Sequence, residues 1–117
     1  MKILKIKELL DAEILTGEDL MDGEVNSACG CDMMSDVLAF VKDQAVLLTG
    51  LCNPQVVRTA TMMDMRCIVF VRGKRPSEDV INLARESGIA VLASNMRMYT
   101  ACGILYENGL NGGDYNK

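Results

Sequence analysis

The run Ala45-Val46-Leu47-Leu48-Thr49-Gly50-Leu51-Cys52-Asn53-Pro54 decides the fold. Its four leading apolar residues read as a short strand buried on both faces. Thr49-Gly50 reads as a turn and Asn53-Pro54 as a helix start. Asn can accept from the free N–H groups of a first helical turn, and Pro needs no donor at the first helical position. A buried strand running straight into a capped helix is half of a βαβ unit. In open α/β sheets, ligands bind at the carboxyl ends of such strands.

The same alternation continues on both sides of this run. Downstream, Val56, Val57, Ala60 and Met63 keep helical spacing. Cys67-Ile68-Val69-Phe70-Val71 is the most β-like segment in the chain, and residues 73–76 form a loop. Ser77 is placed to cap a helix with Glu78 and Asp79 in its first turn, Val80, Ile81 and Ala84 on one face, and Gly88 at its end. Ile89-Ala90-Val91-Leu92-Ala93 is the next strand. Ser94 or Asn95 then caps a last helix with Met98, Ala101, Ile104 and Leu105 as its stripe, closed by Asn108-Gly109. Upstream, residues 24–31 read as a strand ending in small residues. Asp32 reads as the N-cap of a helix with Met33, Met34, Val37, Leu38 and Val41, running to about Lys42. A first helix over residues 2–11, a short strand at Glu13-Ile14-Leu15 and a helical turn at residues 18–21 precede it.

Strands alternating with helices of about ten residues predict an α/β fold: a mostly parallel sheet of four to five strands, helices on both faces, right-handed crossovers. Residues 1–110 are expected to form a single domain, and the polar, glycine-rich residues 111–117 a flexible C-terminal tail.

Composition narrows the function classes. A length of 117 residues suits one domain, and with 4% aromatic residues and no Trp the core must be built from Val, Ile, Leu, Met and Ala. Twelve basic against 16 acidic residues leave a net charge of -4, and the local basic cluster Arg72, Lys74 and Arg75 is too small for a duplex footprint, so nucleic acid is not an expected partner. There is no His, which removes the commonest general base and the commonest metal ligand. Five Cys without a secretion signal predict a cytoplasmic protein with reduced thiols. No segment has the roughly 18–20 apolar residues of a membrane span.

Four candidate sites emerge. The first is the set of loops after the strands: Cys29-Gly30-Cys31-Asp32, with Ser35 in the helical turn that follows, then Thr49-Gly50-Leu51-Cys52-Asn53, then Ser94-Asn95. In a parallel sheet these share one edge and would suit a nucleotide or other anion. Tight turns and helix caps explain the same residue types. No Walker-type loop and no dinucleotide glycine fingerprint is present, so no cofactor is expected. The second is thiol chemistry. Cys29 and Cys31 form a Cys-x-Cys pair, and Cys52 could join them to hold a soft metal or part of an iron–sulfur cluster; packing of small hydrophobes is the simpler account, and no metal site is assigned. The third is Arg72-Gly73-Lys74-Arg75-Pro76, a phosphate clamp or a solvated turn. The fourth is Asp32 and Asp36, with Asp43 nearby, where capping and the helix dipole explain the carboxylates without a metal. No Ser is accompanied by a base, so no catalytic residue is assigned.

Three passages resemble the DRTGG domain family, which is related to the N-terminal domains of HPr kinase/phosphorylase and of the Mur ligases. They are Asp32-Met33-Met34-Ser35-Asp36-Val37, Val46-Leu47-Leu48-Thr49-Gly50 with the helix after it, and Ile68-Val69-Phe70-Val71 through Gly73-Lys74-Arg75-Pro76 to Gly88-Ile89 and Val91-Leu92. The likeness spans about residues 5–110. At the family's name-giving motif this chain instead has Leu51-Cys52-Asn53-Pro54-Gln55, so contacts made by the family's Asp-Arg pair do not carry over. The resemblance implies an α/β fold and a non-catalytic regulatory or dimerising role, often beside nucleotide-binding CBS domains. Small stand-alone relatives are found near iron-only hydrogenase genes in anaerobes.

The expected protein is therefore a non-catalytic binding or regulatory module, a homodimer sensing a nucleotide or other anion. Apolar interface candidates are Met62, Met63 and Met65, or Met96 and Met98. The alternative is a metal or redox accessory with a hydrogenase-related protein partner.

Overall fold

A computed structural model describes residues 1–40 and 44–113. In chain order the elements are α1 (Ile3–Leu9), β1 (Glu13–Thr16), a 3-10 turn (Glu18–Leu20), β2 (Ser27–Gly30), α2 (Met34–Phe40), β3 (Ala45–Thr49), α3 (Pro54–Met62), β4 (Cys67–Phe70), α4 (Glu78–Glu86), β5 (Ala90–Ala93) and α5 (Met98–Glu107). The five strands form one sheet in the order β1-β5-β4-β3-β2. β2, β3, β4 and β5 pair in parallel, and β1 closes the edge antiparallel to β5.

Strand order sets the layers. From β2 to β5 each crossover steps to the next strand in the same direction. Crossovers of one hand that all step the same way must leave the sheet on the same side. α2, α3 and α4 accordingly share one face, packing Met34, Val37, Val56, Val57, Ala60, Val80 and Ala84 against Ala45, Leu47, Ile68 and Phe70. The other face is covered by the two terminal helices: Ile3 and Ile6 of α1 and Ala101 and Leu105 of α5 pack on Val46, Leu48, Val69 and Leu92. Alternate residues of β3 thus serve opposite cores, which is why all five of its residues are buried.

Several local readings change once partners are known. The strand expected over residues 24–31 shortens to Ser27–Gly30, because Glu24 bridges Lys2 and the Val25 N–H donates to the Met1 carbonyl at 2.9 Å. Asn53 does cap α3, its Oδ1 accepting from the Gln55 N–H at 3.0 Å, with Pro54 in the first turn. Ser77 sits at the N-cap of α4 in extended conformation, but its side chain makes no cap bond. The N-cap of α5 is Arg97, not Ser94 or Asn95. Ser94 is buried instead, donating to the Leu10 carbonyl at 2.7 Å and accepting from the Met96 N–H at 3.2 Å. Asp32 does not cap α2. The Cys31 sulfur accepts from the Met33 N–H at 3.3 Å there, and Asp32 is drawn toward β3. Met65 is 3% exposed, and Met96 and Met98 pack against the core, so of the methionines expected at an interface Met62, 73% exposed, stands out most. The end of α2 near Lys42, its stripe residue Val41, the nearby Asp43, and the last four tail residues lie outside the described residues. Of the tail's first residues, Asn111 accepts from the Ala28 N–H of β2 at 2.9 Å.

Leu48 is fully buried on the interior strand β3, whereas Tyr99 is 91% exposed. Leu48→Ala is expected to cost about 2–5 kcal/mol in urea unfolding, and Tyr99→Ala to stay within about 0.5 kcal/mol.

Candidate functional site

β2, β3 and β4 are neighbours and parallel, so the loops leaving their carboxyl ends lie side by side. Asp32, two residues past β2, reaches over the end of β3. Its Oδ1 accepts from the Thr49 hydroxyl at 2.9 Å and from the Gly50 N–H at 2.8 Å. Thr49 is fully buried, and its hydroxyl oxygen in turn accepts from the Leu51 N–H at 3.1 Å.

The third loop supplies a cation. Arg72 has φ 61°, a left-handed conformation that costs a non-glycine residue of order 1–2 kcal/mol. Neighbouring hydrogen bonds hold it there: the Arg72 N–H donates to the Met96 carbonyl at 2.7 Å, and the Gly73 N–H to the Ser94 carbonyl at 3.0 Å. The side chain is thereby laid over Gly50. A Cβ on Gly50 would overlap the terminal guanidinium nitrogen and come within 2.9 Å of the guanidinium carbon, so a side chain there would have to push the flexible, half-exposed end of Arg72 aside. The guanidinium faces the second oxygen of Asp32 at 3.7 Å, and the two side chains are 46% and 49% exposed. The Asp32 carboxyl is held below the usual carboxylate range, chiefly by the Gly50 N–H; partial burial opposes this, and the Thr49 hydroxyl and Arg72 add to it.

The other expected site residues fall differently around this centre. Cys52 packs against its own turn, Sγ lying 3.6 Å from the Gly50 carbonyl; burial pushes its thiol up, while Lys74 and Arg72 pull it down. Asn53 is engaged in the cap of α3. Ser35 lies exposed in the first turn of α2 and takes no part in the Asp32 hydrogen bonds. Gly30 ends β2 beneath α5: a Cβ there would meet the Cys102 sulfur at 2.6 Å and the Met98 sulfur at 3.1 Å. Ser94 stays beneath the Leu10 carbonyl. Arg75 forms a two-pronged pair with Glu13, at 2.7 and 3.4 Å, which ties the loop after β4 to β1. The cluster Arg72, Lys74 and Arg75 is therefore divided between two tasks. Arg72 is the site residue that sequence reasoning placed elsewhere, since only knowledge that β3 and β4 are neighbours joins it to Asp32.

All five thiols are free. Burial pushes Cys67 up to about 12. Burial, with Cys31 and Cys102 nearby, pushes Cys29 up to about 11. Among the described residues no three His, Cys, Asp or Glu side chains form a metal-ligating group, so Cys29, Cys31 and Cys52 do not converge on one ion. No helix among the described residues is long and apolar enough to cross a membrane. Among the described residues, open concavities away from this edge include one of about 360 Å³ near Asp19, Asp64 and Arg66, and an apolar groove of about 440 Å³ between α3 and α4 that includes Val57, Met62 and Leu83.

A parallel α/β domain whose strand-to-helix loops share one edge defines the class. A family model of the DRTGG domain matches residues 5–107, and the chain belongs to that family. The fold is similar to the crystal structure of the CBS and DRTGG domains of the regulatory region of Clostridium perfringens pyrophosphatase, complexed with its activator diadenosine tetraphosphate. The TM-score is 0.71 at 18% sequence identity, over 89% of this chain and 45% of that one, so this chain spans just under half of the solved region. A search of curated proteins found no match.

Gly50→Ala is expected to lower stability by no more than about 1 kcal/mol, because the new methyl need only push the half-exposed end of the Arg72 side chain aside. In the double variant Gly50→Ala, Arg72→Ala most of that loss should be absent. A double-mutant cycle by urea unfolding measures it, and additive losses would refute the close-approach account.

Proposed function

We propose that this domain is a non-catalytic regulatory module that binds a nucleotide or another phosphorylated anion at the carboxyl edge of β2, β3 and β4. The observation that carries this reading is Arg72, held in a left-handed conformation so that its half-exposed guanidinium lies over the glycine turn after β3. Arginine offers a planar fork of donors suited to phosphate. Lys74 lies near enough to act on the Cys52 thiol beside the same turn. Membership of the DRTGG family, and the fold shared with a regulatory region that was crystallised with diadenosine tetraphosphate, support a regulatory over a catalytic role. The proposed site comprises Thr49, Gly50, Cys52 and Asn53, with Arg72 and Lys74 added, and Asp32 as the side chain that now holds the Thr49 and Gly50 donors.

A thermal-shift panel of diadenosine tetraphosphate, ATP, AMP and pyrophosphate tests this. A ligand present at about 100 times its Kd stabilises by ~2.7 kcal/mol, a rise in Tm of roughly 10 °C for a domain this size. Arg72→Ala should remove most of the rise. No rise with any member of the panel would refute the reading.

The same reading includes self-association in a cytoplasmic, thiol-reducing setting. Met62, 73% exposed beside the apolar groove between α3 and α4, is the natural anchor of a two-fold contact with a second copy. Light scattering after size exclusion should give a dimer that Met62→Asp converts to monomer. A wild-type monomer at high micromolar concentration would end this part of the proposal. A hydrogenase-related partner and a metal or redox role rest on family resemblance and cysteine count alone, and no observed geometry favours them over the regulatory reading.

A further inference from the structure

Three donors of different origin converge at the end of β3: the Gly50 N–H, the Thr49 hydroxyl and the Arg72 guanidinium. What they meet is a carboxylate sent across from a different loop. We propose that Asp32 is the resident occupant of this anion site, and that a phosphate group of the ligand binds by replacing the Asp32 carboxylate. The inference rests on the regulatory reading above and adds how that site is kept closed.

The fit of Asp32 is incomplete in a particular way. Its Oδ1 is well used, accepting at 2.8 and 2.9 Å. Its Oδ2 stands 3.7 Å from Arg72, beyond the 2.7–2.9 Å or so of a charge-assisted hydrogen bond. One carboxylate therefore satisfies two donors and leaves the guanidinium underused. A terminal phosphate, as in pyrophosphate, has three free oxygens and up to two negative charges, enough to meet the backbone N–H, the hydroxyl and the guanidinium together; each internal phosphate of diadenosine tetraphosphate has two free oxygens and one charge. Gly50 lets the guanidinium lie against the turn, in the space a Cβ would fill. Asp32 is 49% exposed and sits on a loop, so it can swing into water, where a carboxylate is well solvated. The charges around the site are Asp32, Arg72 and Lys74, the last two acting on Cys52 beside the same turn.

Titration calorimetry of pyrophosphate and of diadenosine tetraphosphate into wild type, Asp32→Asn, Asp32→Ala and Arg72→Ala, at one fixed ionic strength, tests the exchange. Both Asp32 variants should bind tighter than wild type by roughly fivefold, the order of one like-charge contact removed at about 4 Å in water. Arg72→Ala should bind weaker than wild type. Wild-type binding that the Asp32 variants leave equal or weaker overturns the exchange while leaving the edge as a ligand site. No binding by any of the four proteins overturns the regulatory reading itself. Should Asp32→Ala lower Tm, Asp32→Asn keeps the shape of the side chain and decides alone. Amide spectra give an independent readout in wild type: pyrophosphate should shift the Gly50 N–H as its acceptor changes, and binding that leaves Gly50 unmoved overturns the exchange.

Discussion

The constraint on which the rest of the structure depends is that every parallel crossover steps in the same direction across the sheet. With one hand of connection, this commits α2, α3 and α4 to one face. The opposite face would be bare apolar sheet if α1 and α5, from the two ends of the domain, did not cover it. The two cores are therefore of different kinds. One is assembled from local crossover units, the other from elements about a hundred residues apart in sequence. The antiparallel β1 belongs to this closure, since it blunts the β5 edge that would otherwise be open to another chain.

The same constraint shapes the site. A doubly wound sheet that reverses its strand order opens a crevice between helices diverging to opposite faces. Here the order of β2 to β5 does not reverse, so no such crevice is built. The loops after β2, β3 and β4 instead lie close enough to bond with one another. The outcome is a compact polar knot, with Asp32, Thr49, Gly50 and Arg72 drawn from three separate loops. Its cost is visible in a left-handed Arg72. Backbone strain of this kind persists only where surrounding bonds over-determine it. Hydrogen bonds to the loop after β5 supply that support.

Much of the fold was legible in the chain. Among the described residues, the five strands, the five helices and the turn at residues 18–21 follow from hydrophobic period and from turn chemistry, with Asn53-Pro54 the sharpest signal. Errors fall where a residue had two uses of similar local merit. Asp32 and Ser94 both have the side chain of a helix cap, yet each is taken by a tertiary partner: Asp32 by the turn after β3, Ser94 by the carbonyl of Leu10, 84 residues away. Glu24 and Val25 have strand character, but pair with the start of the chain rather than the sheet. Methionine periodicity could not separate Met62, which is exposed, from Met65, which is buried.

The sequence by itself determined the class of fold and where its strand-to-helix turns fall, because period, caps and glycines are local properties written into consecutive residues. It also placed Thr49-Gly50 at the end of a central strand. Only the tertiary structure decided which strands are neighbours, and with that which loops meet. Asp32 and Arg72 are 40 positions apart and carry no local mark of each other. Their contact arises because β2, β3 and β4 lie side by side, and because a strained backbone at Arg72 turns its side chain onto Gly50.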